Sequence, residues 1–412
     1  MKRHRILVIA HGHPDFSPGG GELAAYHQFR AYRGSEAVED AWLLARVGRQ
    51  GGPTGHIRLR RENEYLWEQG AHDWPKAKAL HPQSLTTRFA ELIRALKPTV
   101  VHAHHYAHLG LEYLRVIKQT DPAIRLYMTL HEYMAICANN GQMIKTQGMG
   151  LCGGESPDDC HACFPERSRE DFWLRKHYFR RHFDWVDRFF APSEFLRQRY
   201  LDWGLLPQQV VFQENGQAPV KKPGPRPLLE GESRGRFGFF GQITPYKGLE
   251  VVLEAMGQCS DPAITLEIHG ANLERQEPAF REKILRLCQP LIDQGRLYWM
   301  GPYQHHELSA RMSGVDWVIV PSIWWENSPL VIQEAFKFGR PVICSDIGGM
   351  AEKVRHGIDG MHFRAGNPGA LSSLMQGCCG DLGLWNSLYD GLPRPVTVDE
   401  AVSAQLAVFG ES

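Results

Sequence analysis

Two glutamates eight positions apart, Glu326 and Glu334, mark the part of this 412-residue chain whose residue types packing alone explains least. They lie in PSIWWENSPLVIQEAF, where Ser328 can cap a helix, Pro329 suits its first turn and Gly339 suits its exit. A helix that begins there presents unpaired backbone N–H groups and the positive end of its dipole, a ready site for phosphate oxygens. A carboxylate beside such a site is electrostatically costly unless it accepts hydrogen bonds from hydroxyls, as a ribose or a sugar would offer. Glu326 falls in the loop before the helix and Glu334 within it. The chemistry this spacing suits is the binding of a ligand with both phosphate and hydroxyl groups.

The elements that must hold these residues follow from the apolar pattern. VIVP and RPVICSD, on either side of the helix, are short buried runs of strand character. Upstream, RFGFFGQ, ITLEIHG, RLYWMGP and DWVIVPS read as strands, with GLEVVLEAM and HHELSARMSG as helices between them. An earlier series runs RILVIA, a helix from Leu23 to Tyr32, a helix from Leu85 to Leu96, TVVHA, a helix from Leu109 to Gln119, IRLYMTL and DRFFAPS. It ends with a capped helix in APSEFLRQRYLDWG and a strand in QVVFQENGQAP. Strands alternating with helices predict doubly wound parallel sheets, whose ligands bind beyond the strands' carboxyl ends. His102, His104 and His131 fall at such ends, and Gly19, Gly20 and Gly21 follow the first strand, where backbone can approach a ligand closely. Residues 50–82 read as polar and irregular, and VKKPGPRPLLEGESRG (220–235) reads as a linker between two domains. The amphipathic VDEAVSAQLAVF stands apart from the second series behind LPRP.

Bulk composition narrows the class. The chain is too long for one ordinary core, so two domains are expected. Lysine plus arginine and aspartate plus glutamate number 46 each, which gives no global field to attract nucleic acid. No apolar run approaches the length of a membrane span and no signal-peptide pattern is present, so a cytoplasmic protein is expected, with peripheral membrane contact left open. REDFWLRKHYFRRHFDWVDRFF (169–190) is dense in arginine and aromatics: it suits either an amphipathic helix touching anionic lipid or a helix packed on the core through Phe172, Phe179, Phe183 and Val186, leading into the strand DRFFAPS.

Nine cysteines are many for a reducing compartment, and four cluster at Cys137, Cys152, Cys160 and Cys163 within CANNGQMIKTQGMGLCGGESPDDCHACFP. Four thiolates with one Cys-x-x-Cys pair could hold a structural zinc, with His161 as a further candidate; free or redox-active thiols are the alternative. Four sulfur ligands would leave no open position for catalysis. His102, His104, His105 and His108 match no tight ligand spacing and suit cleft lining or solvent contact better than a metal.

Taken together, these pieces resemble the retaining GT-B glycosyltransferases of family 4. The resemblance rests on E-x7-E in PSIWWENSPLVIQEA, with PGGGE after the first strand, TLHE at 129–132, FFAPSEFLRQRY, ENG at 214–216, FGQITPYKG at 240–248 and SDIGGMAE at 345–352. It covers nearly the whole chain and implies two Rossmann-like domains facing a central cleft. These would be an acceptor-binding domain over 1–218, a donor domain over 219–392 and a C-terminal helix, 393–412, crossing back to the first. By the same resemblance Glu334 accepts from the ribose hydroxyls and Glu326 from the transferred sugar. The backbone at Asn327, Ser328, Leu330 and Val331 borders the diphosphate, Pro329 lacking an N–H. Lys247 is the phosphate lysine, His131 faces the donor sugar, and Gly20 and Gly21 approach the diphosphate. The family often has arginine where this chain has Gln242, so either Lys247 acts alone or another basic residue substitutes for that arginine. The cysteine-bearing loop is similar to one found in some members.

The implied activity is transfer of a sugar from a UDP- or GDP-linked donor to a glycan or lipid-linked acceptor, in cell-surface polysaccharide or lipopolysaccharide assembly. No Asp-x-Asp motif occurs, so no catalytic metal is expected. A sugar-nucleotide epimerase, a phosphorylase or a non-catalytic glycan-assembly partner on the same fold are the alternatives. Trp324 and Trp325 could stack on sugar or pack under the loop.

Overall fold

From Ile6 to Ala10 no residue is more than 1% exposed, as expected where an unbroken apolar run forms a strand covered on both faces. The computed structural model describes residues 3–17, 19–48, 54–72 and 76–410. Pro18 of PGGGE and parts of the 50–82 segment lie outside the described residues. The chain divides into two compact units, one made of 1–218 with 396–412 and the other of 219–395.

The first unit carries β1 (His4–Ala10), β2 (Val38–Val47), β3 (Ile57–Arg61), β4 (Glu64–Glu68), β5 (Val100–Ala103), β6 (Arg125–Thr129), β7 (Arg188–Ala191) and β8 (Val210–Phe212). Their order in the sheet is β8-β7-β6-β5-β1-β2-β4-β3. All pairs are parallel except β3 with β4. The expectation of irregular structure over 50–82 is corrected here, because β3 and β4 form a hairpin inside it. The order reverses at β1, which has β2 on one side and β5 on the other, and a crevice at the strands' carboxyl ends belongs at such a point. The Val398–Gly410 helix completes this unit: Val402 and Phe409 join the core of Ile6, Val8, Phe29, Tyr32, Tyr127 and Phe190. Gln405 Oε1 accepts from the Tyr32 hydroxyl at 2.6 Å and also from Gln28.

The second unit carries β9 (Arg236–Gln242), β10 (Thr265–Ala271), β11 (Leu297–Trp299), β12 (Trp317–Val320), β13 (Val342–Ser345) and β14 (Gly360–Phe363), in the order β11-β10-β9-β12-β13-β14 and wholly parallel. Side-chain alternation divides two cores across this sheet: Ile319 and Ile343 enter one, Val318, Val320, Val342 and Cys344 the other. The proline-rich 220–235 segment is not a free linker. Arg226 and Arg234 both pair with the buried Asp316, at 2.9 and 3.0 Å, and Lys222 donates to the Tyr389 carbonyl at 2.9 Å, strapping the segment onto this unit.

The expected helix from Arg169 runs to Phe183 and buries Phe172, Phe179 and Phe183, so it packs on the core; Trp173 and Leu174 on its other side are half exposed. Among the described residues no helix is long and apolar enough to cross a membrane.

Candidate active site

In the second unit the site is built where β9 and β12 end. Gln242 closes β9, and after the short Pro245–Lys247 turn Gly248 takes φ +72°. A Cβ on Gly248 would overlap the Pro321 carbonyl oxygen, so only glycine lets this turn lie against the end of β12. That approach, with Ile323 N–H donating to the Tyr246 carbonyl at 2.9 Å, sets Lys247 beside Glu326. Lys247 Nζ donates to Glu326 Oε1 at 2.6 Å, and the same oxygen accepts from Ser322 Oγ at 2.7 Å and Trp324 Nε1 at 2.9 Å. Among the described residues none reaches Oε2. Burial alone would raise this carboxyl, but the Lys247 charge and the three donors hold it below its ordinary value. Trp324 is turned inward, its N–H on Glu326 and its ring 5.5 Å from the Lys247 ammonium.

Gln242 is exposed, and its side chain makes no hydrogen bond among the described residues. The site helix spans Leu330–Lys337. Ser328 is not its cap: Pro329 holds the N-cap position, extended at φ −64° and ψ 115°, without a side-chain bond. Helical dihedrals therefore begin one residue later than the sequence suggested. Ile332 N–H returns to the Pro329 carbonyl at 3.1 Å, and the amides of Leu330 and Val331 stand at the open end. One turn on, Glu334 is half-buried and its carboxylate has no hydrogen-bond partner among the described residues. Burial pushes it up to about 7, against the pull of Lys337. The Glu326–Asn327 turn is clasped by Gly349, whose N–H donates to the Glu326 carbonyl at 2.8 Å and whose Cα lies so near the Asn327 carbonyl that a Cβ would overlap it.

The first unit has its own polar group beyond β1, β5 and β6. Gly20 and Gly21 form the first turn of the Gly20–Gly34 helix, behind an extended Gly19. A Cβ on Gly21 would lie 3.4 Å from His11 and 3.8 Å from His131, so the glycine turn and His131 are neighbours. His131 Nε2 meets His104 Nδ1 at 3.0 Å with the rings stacked. Burial and the His11 charge push His131 down to about 4, and burial drives His104 well below the usual histidine range, so both are neutral at pH 7. Among the described residues the buried His104 Nε2 has no partner. An unfilled lone pair costs less there than an unpaired N–H, which favours His104 donating to His131 and leaves His131 with its proton on Nδ1. His102 is occupied otherwise, by the Tyr32 hydroxyl at 3.0 Å and Thr129 Oγ1 at 2.8 Å, and His105 Nδ1 accepts from the Tyr106 and Ala107 amides. Sequence reasoning missed His11 and Glu22, which pair at 3.2 Å beside the glycine turn. The signal was the position of both on either side of the first strand's glycine-rich exit.

Comparison with known proteins agrees with this architecture. Residues 58–217 match the family model described as Glycosyltransferase Family 4, and residues 224–377 the one described as Glycosyl transferases group 1. Both matched models describe glycosyltransferases, and the fold is GT-B. Anabaena HepE, solved in complex with UDP and glucose, superposes with a TM-score of 0.67 at 16% identity, over 99% of this chain and 100% of that one. Sucrose-phosphate synthase from Thermosynechococcus elongatus gives 0.72 at 16% identity, over 99% and 98%. At such identity the likeness is one of fold. The D-inositol 3-phosphate glycosyltransferase of Mycobacterium tuberculosis is 30% identical over 149 residues, 35% of this chain and 30% of that protein. An uncharacterised glycosyltransferase of Methanocaldococcus jannaschii is 30% identical over 135 residues, 32% of this chain and 33% of its own. The matched stretch thus spans about a third of these curated relatives' length.

Proposed function

We propose that this chain is a retaining glycosyltransferase, cytoplasmic, that moves a sugar from a UDP- or GDP-linked donor to a glycan or lipid-linked acceptor in cell-surface polysaccharide or lipopolysaccharide assembly. The observation that carries the reading is the Lys247–Glu326 ion pair next to the helix that bears the unpaired Glu334. Without donor, each charge of the pair compensates the other. A diphosphate competes for the ammonium, and Glu326, whose Oε1 keeps Ser322 and Trp324, then turns Oε2 to a sugar hydroxyl. Glu334 supplies acceptors for the two ribose hydroxyls, which explains a carboxylate left unpaired in a helix. In the first unit, His131 with its proton on Nδ1 and the neighbouring Gly20–Gly21 turn form a polar group of their own, suited to a sugar oxygen and to phosphate.

The reaction follows from these groups. The acceptor hydroxyl attacks the anomeric carbon on the face from which the diphosphate departs. The carbon–oxygen bond to phosphate breaks, the new glycosidic bond forms, and the acceptor's proton passes to the departing phosphate oxygen, so no separate base is needed. Lys247 and the Leu330 and Val331 amides stabilise the charge that gathers on the leaving group. With no Asp-x-Asp motif in the chain, that duty rests on them. Similarity to HepE, solved with UDP, makes UDP-sugars the first donors to test.

Incubation with a panel of nucleotide sugars, read by mass spectrometry, should show donor-dependent transfer or slow donor hydrolysis. Glu334→Ala should weaken nucleotide binding about 100-fold, the scale of two hydrogen bonds to a charged group, while Glu326→Ala should chiefly lower turnover. Absence of nucleotide binding and of product with every donor, or equal and negligible effects of the two substitutions, would sink the assignment. A lipid-linked acceptor also requires access to a membrane face. Exposed Trp173, Leu174 and Trp185 beside exposed Arg180 and Arg181 suit contact with anionic lipid. Co-sedimentation with vesicles containing anionic lipid, weakened by Trp173→Ala, checks it.

A further inference from the structure

Four cysteines are not used by the chemistry above. Cys137, Cys152, Cys160 and Cys163 all line one cavity of about 20 Å³, with Ile136, Ile144 and Phe164 among its other walls. That is room for one water or one ion. None of the four is in a disulfide, so the backbone brings them together; the Cys152 thiol donates to the Gly154 carbonyl at 3.1 Å. Cys137 closes a turn, its N–H donating to the Tyr133 carbonyl at 2.7 Å. The chain then doubles back as a small hairpin, with Ile144 bridging Leu151 and Cys152 N–H donating to the Met143 carbonyl at 2.8 Å. Cys160 and Cys163 lie on the Pro157–Cys163 helix, three positions apart and hence on one face. Thr146 Oγ1 donates to the Cys163 carbonyl at 2.6 Å and ties hairpin to helix.

What this segment lacks is a core. The Pro157–Cys163 helix buries no residue, and from Lys145 to Asp171 every residue is exposed or only partly covered. Ordering such a stretch costs conformational entropy that apolar burial here does not offset. A metal gripped by thiolates is the usual remedy in a segment of this kind.

We propose that Cys137, Cys152, Cys160 and Cys163 close on a single zinc ion that holds this segment in its fold. The donor set fits the ion: four soft thiolates, tetrahedral, at about 2.3 Å. Lys145 lines the same cavity with Glu155 and Asp159, and its ammonium is paired with Asp159 at 2.6 Å. Among the described residues no three His, Cys, Asp or Glu side chains are already gathered closely enough to hold an ion, so binding draws the sulfurs inward across the cavity. Zinc replaces four thiol protons, which pass to solvent. Four sulfurs fill its shell, so the ion builds structure and offers no position to substrate. The proposal does not rest on the glycosyltransferase reading.

The full-length protein, purified without chelator and dialysed against metal-free buffer, should carry one zinc per chain by elemental analysis. Cobalt exchanged for zinc should give the intense absorption of tetrahedral thiolate ligation. Cys160→Ser with Cys163→Ser should leave about 0.1 zinc per chain or less, whereas Cys288→Ser, at a buried cysteine of the second unit, should keep the metal. Should the double variant fail to fold, the unaltered protein still decides the matter. Removing its metal with a chelator should open residues 145–165 to limited proteolysis, and zinc should close them again. The proposal is overturned by wild-type protein without zinc whose four thiols titrate freely, by zinc retained in the double variant, by iron in place of zinc, or by a proteolysis pattern the chelator leaves unchanged.

Discussion

A carboxyl lifted by burial to about 7 titrates where an enzyme works, and Glu334 is such a group. Its ionised form offers both oxygens as acceptors, one to each hydroxyl, whereas protonation turns one of them into a donor. The sign follows: donor capture weakens as pH falls through about 7 and levels off above it. With donor varied, kcat/KM should drop up to tenfold per pH unit on the acid side, since that ratio reports groups of the free enzyme. Glu334→Gln should be slow but flat over the same range; an unchanged acid limb in that variant would assign the titration elsewhere. Glu326 should add no such limb, being held ionised by Lys247. At this scale the sequence was readable in part. The spacing of Glu326 and Glu334, and the helix between them, could be inferred from residue types. The His104–His131 contact could not, because it joins the ends of two strands 27 positions apart and depends on their pairing in the sheet.

At the scale of elements, the Glu326–Asn327 turn is only as well placed as the glycine that clasps it. Gly349→Ala puts a methyl group into the Asn327 carbonyl and must push that turn away. The expected result is a rise in donor KM together with a stability loss of about 1–3 kcal/mol, in the range of overpacking at a tight contact. Gly377→Ala, in a helix where a Cβ meets nothing, is the control: it should leave KM unchanged and raise stability by about 0.5–1 kcal/mol, opposite in sign to Gly349→Ala. Kinetics with calorimetry on both variants check this, and a silent Gly349→Ala would show that the clasp is not needed. Elements with a buried face were legible, since β1, β5, β6 and the strands flanking Glu326 announce themselves as apolar runs. β3 was not: Arg58 to Arg61 are all exposed, so this edge strand has no apolar face to betray it. The segment at 220–235 misled in the opposite sense, because proline and glycine suggested freedom while Arg226 and Arg234 found a buried partner in Asp316.

On the scale of the molecule, the first unit is made of two stretches of chain with the whole second unit between them. Phe409 is fully buried against Tyr127, at 4.4 Å between ring centres, and belongs to the first unit's core. Phe409→Ala should therefore cost about 3–5 kcal/mol, and the loss should appear in the first unit's unfolding transition while the second unit's stays in place. Denaturant unfolding followed by hydrogen exchange would tell the two apart; protection lost in the second unit instead would contradict the assignment. The same connectivity sets an order of events during synthesis. Residues 1–218 leave the ribosome long before Val402, Gln405 and Phe409 exist, so the nascent first unit waits with an open apolar slot and a Tyr32 hydroxyl lacking its Gln405 acceptor. The second unit, being continuous, can fold during that wait. Completion of the first unit thus falls to residues made after the second, and a chain cut at residue 395 would hold one complete unit and one still exposed to chaperones and proteases.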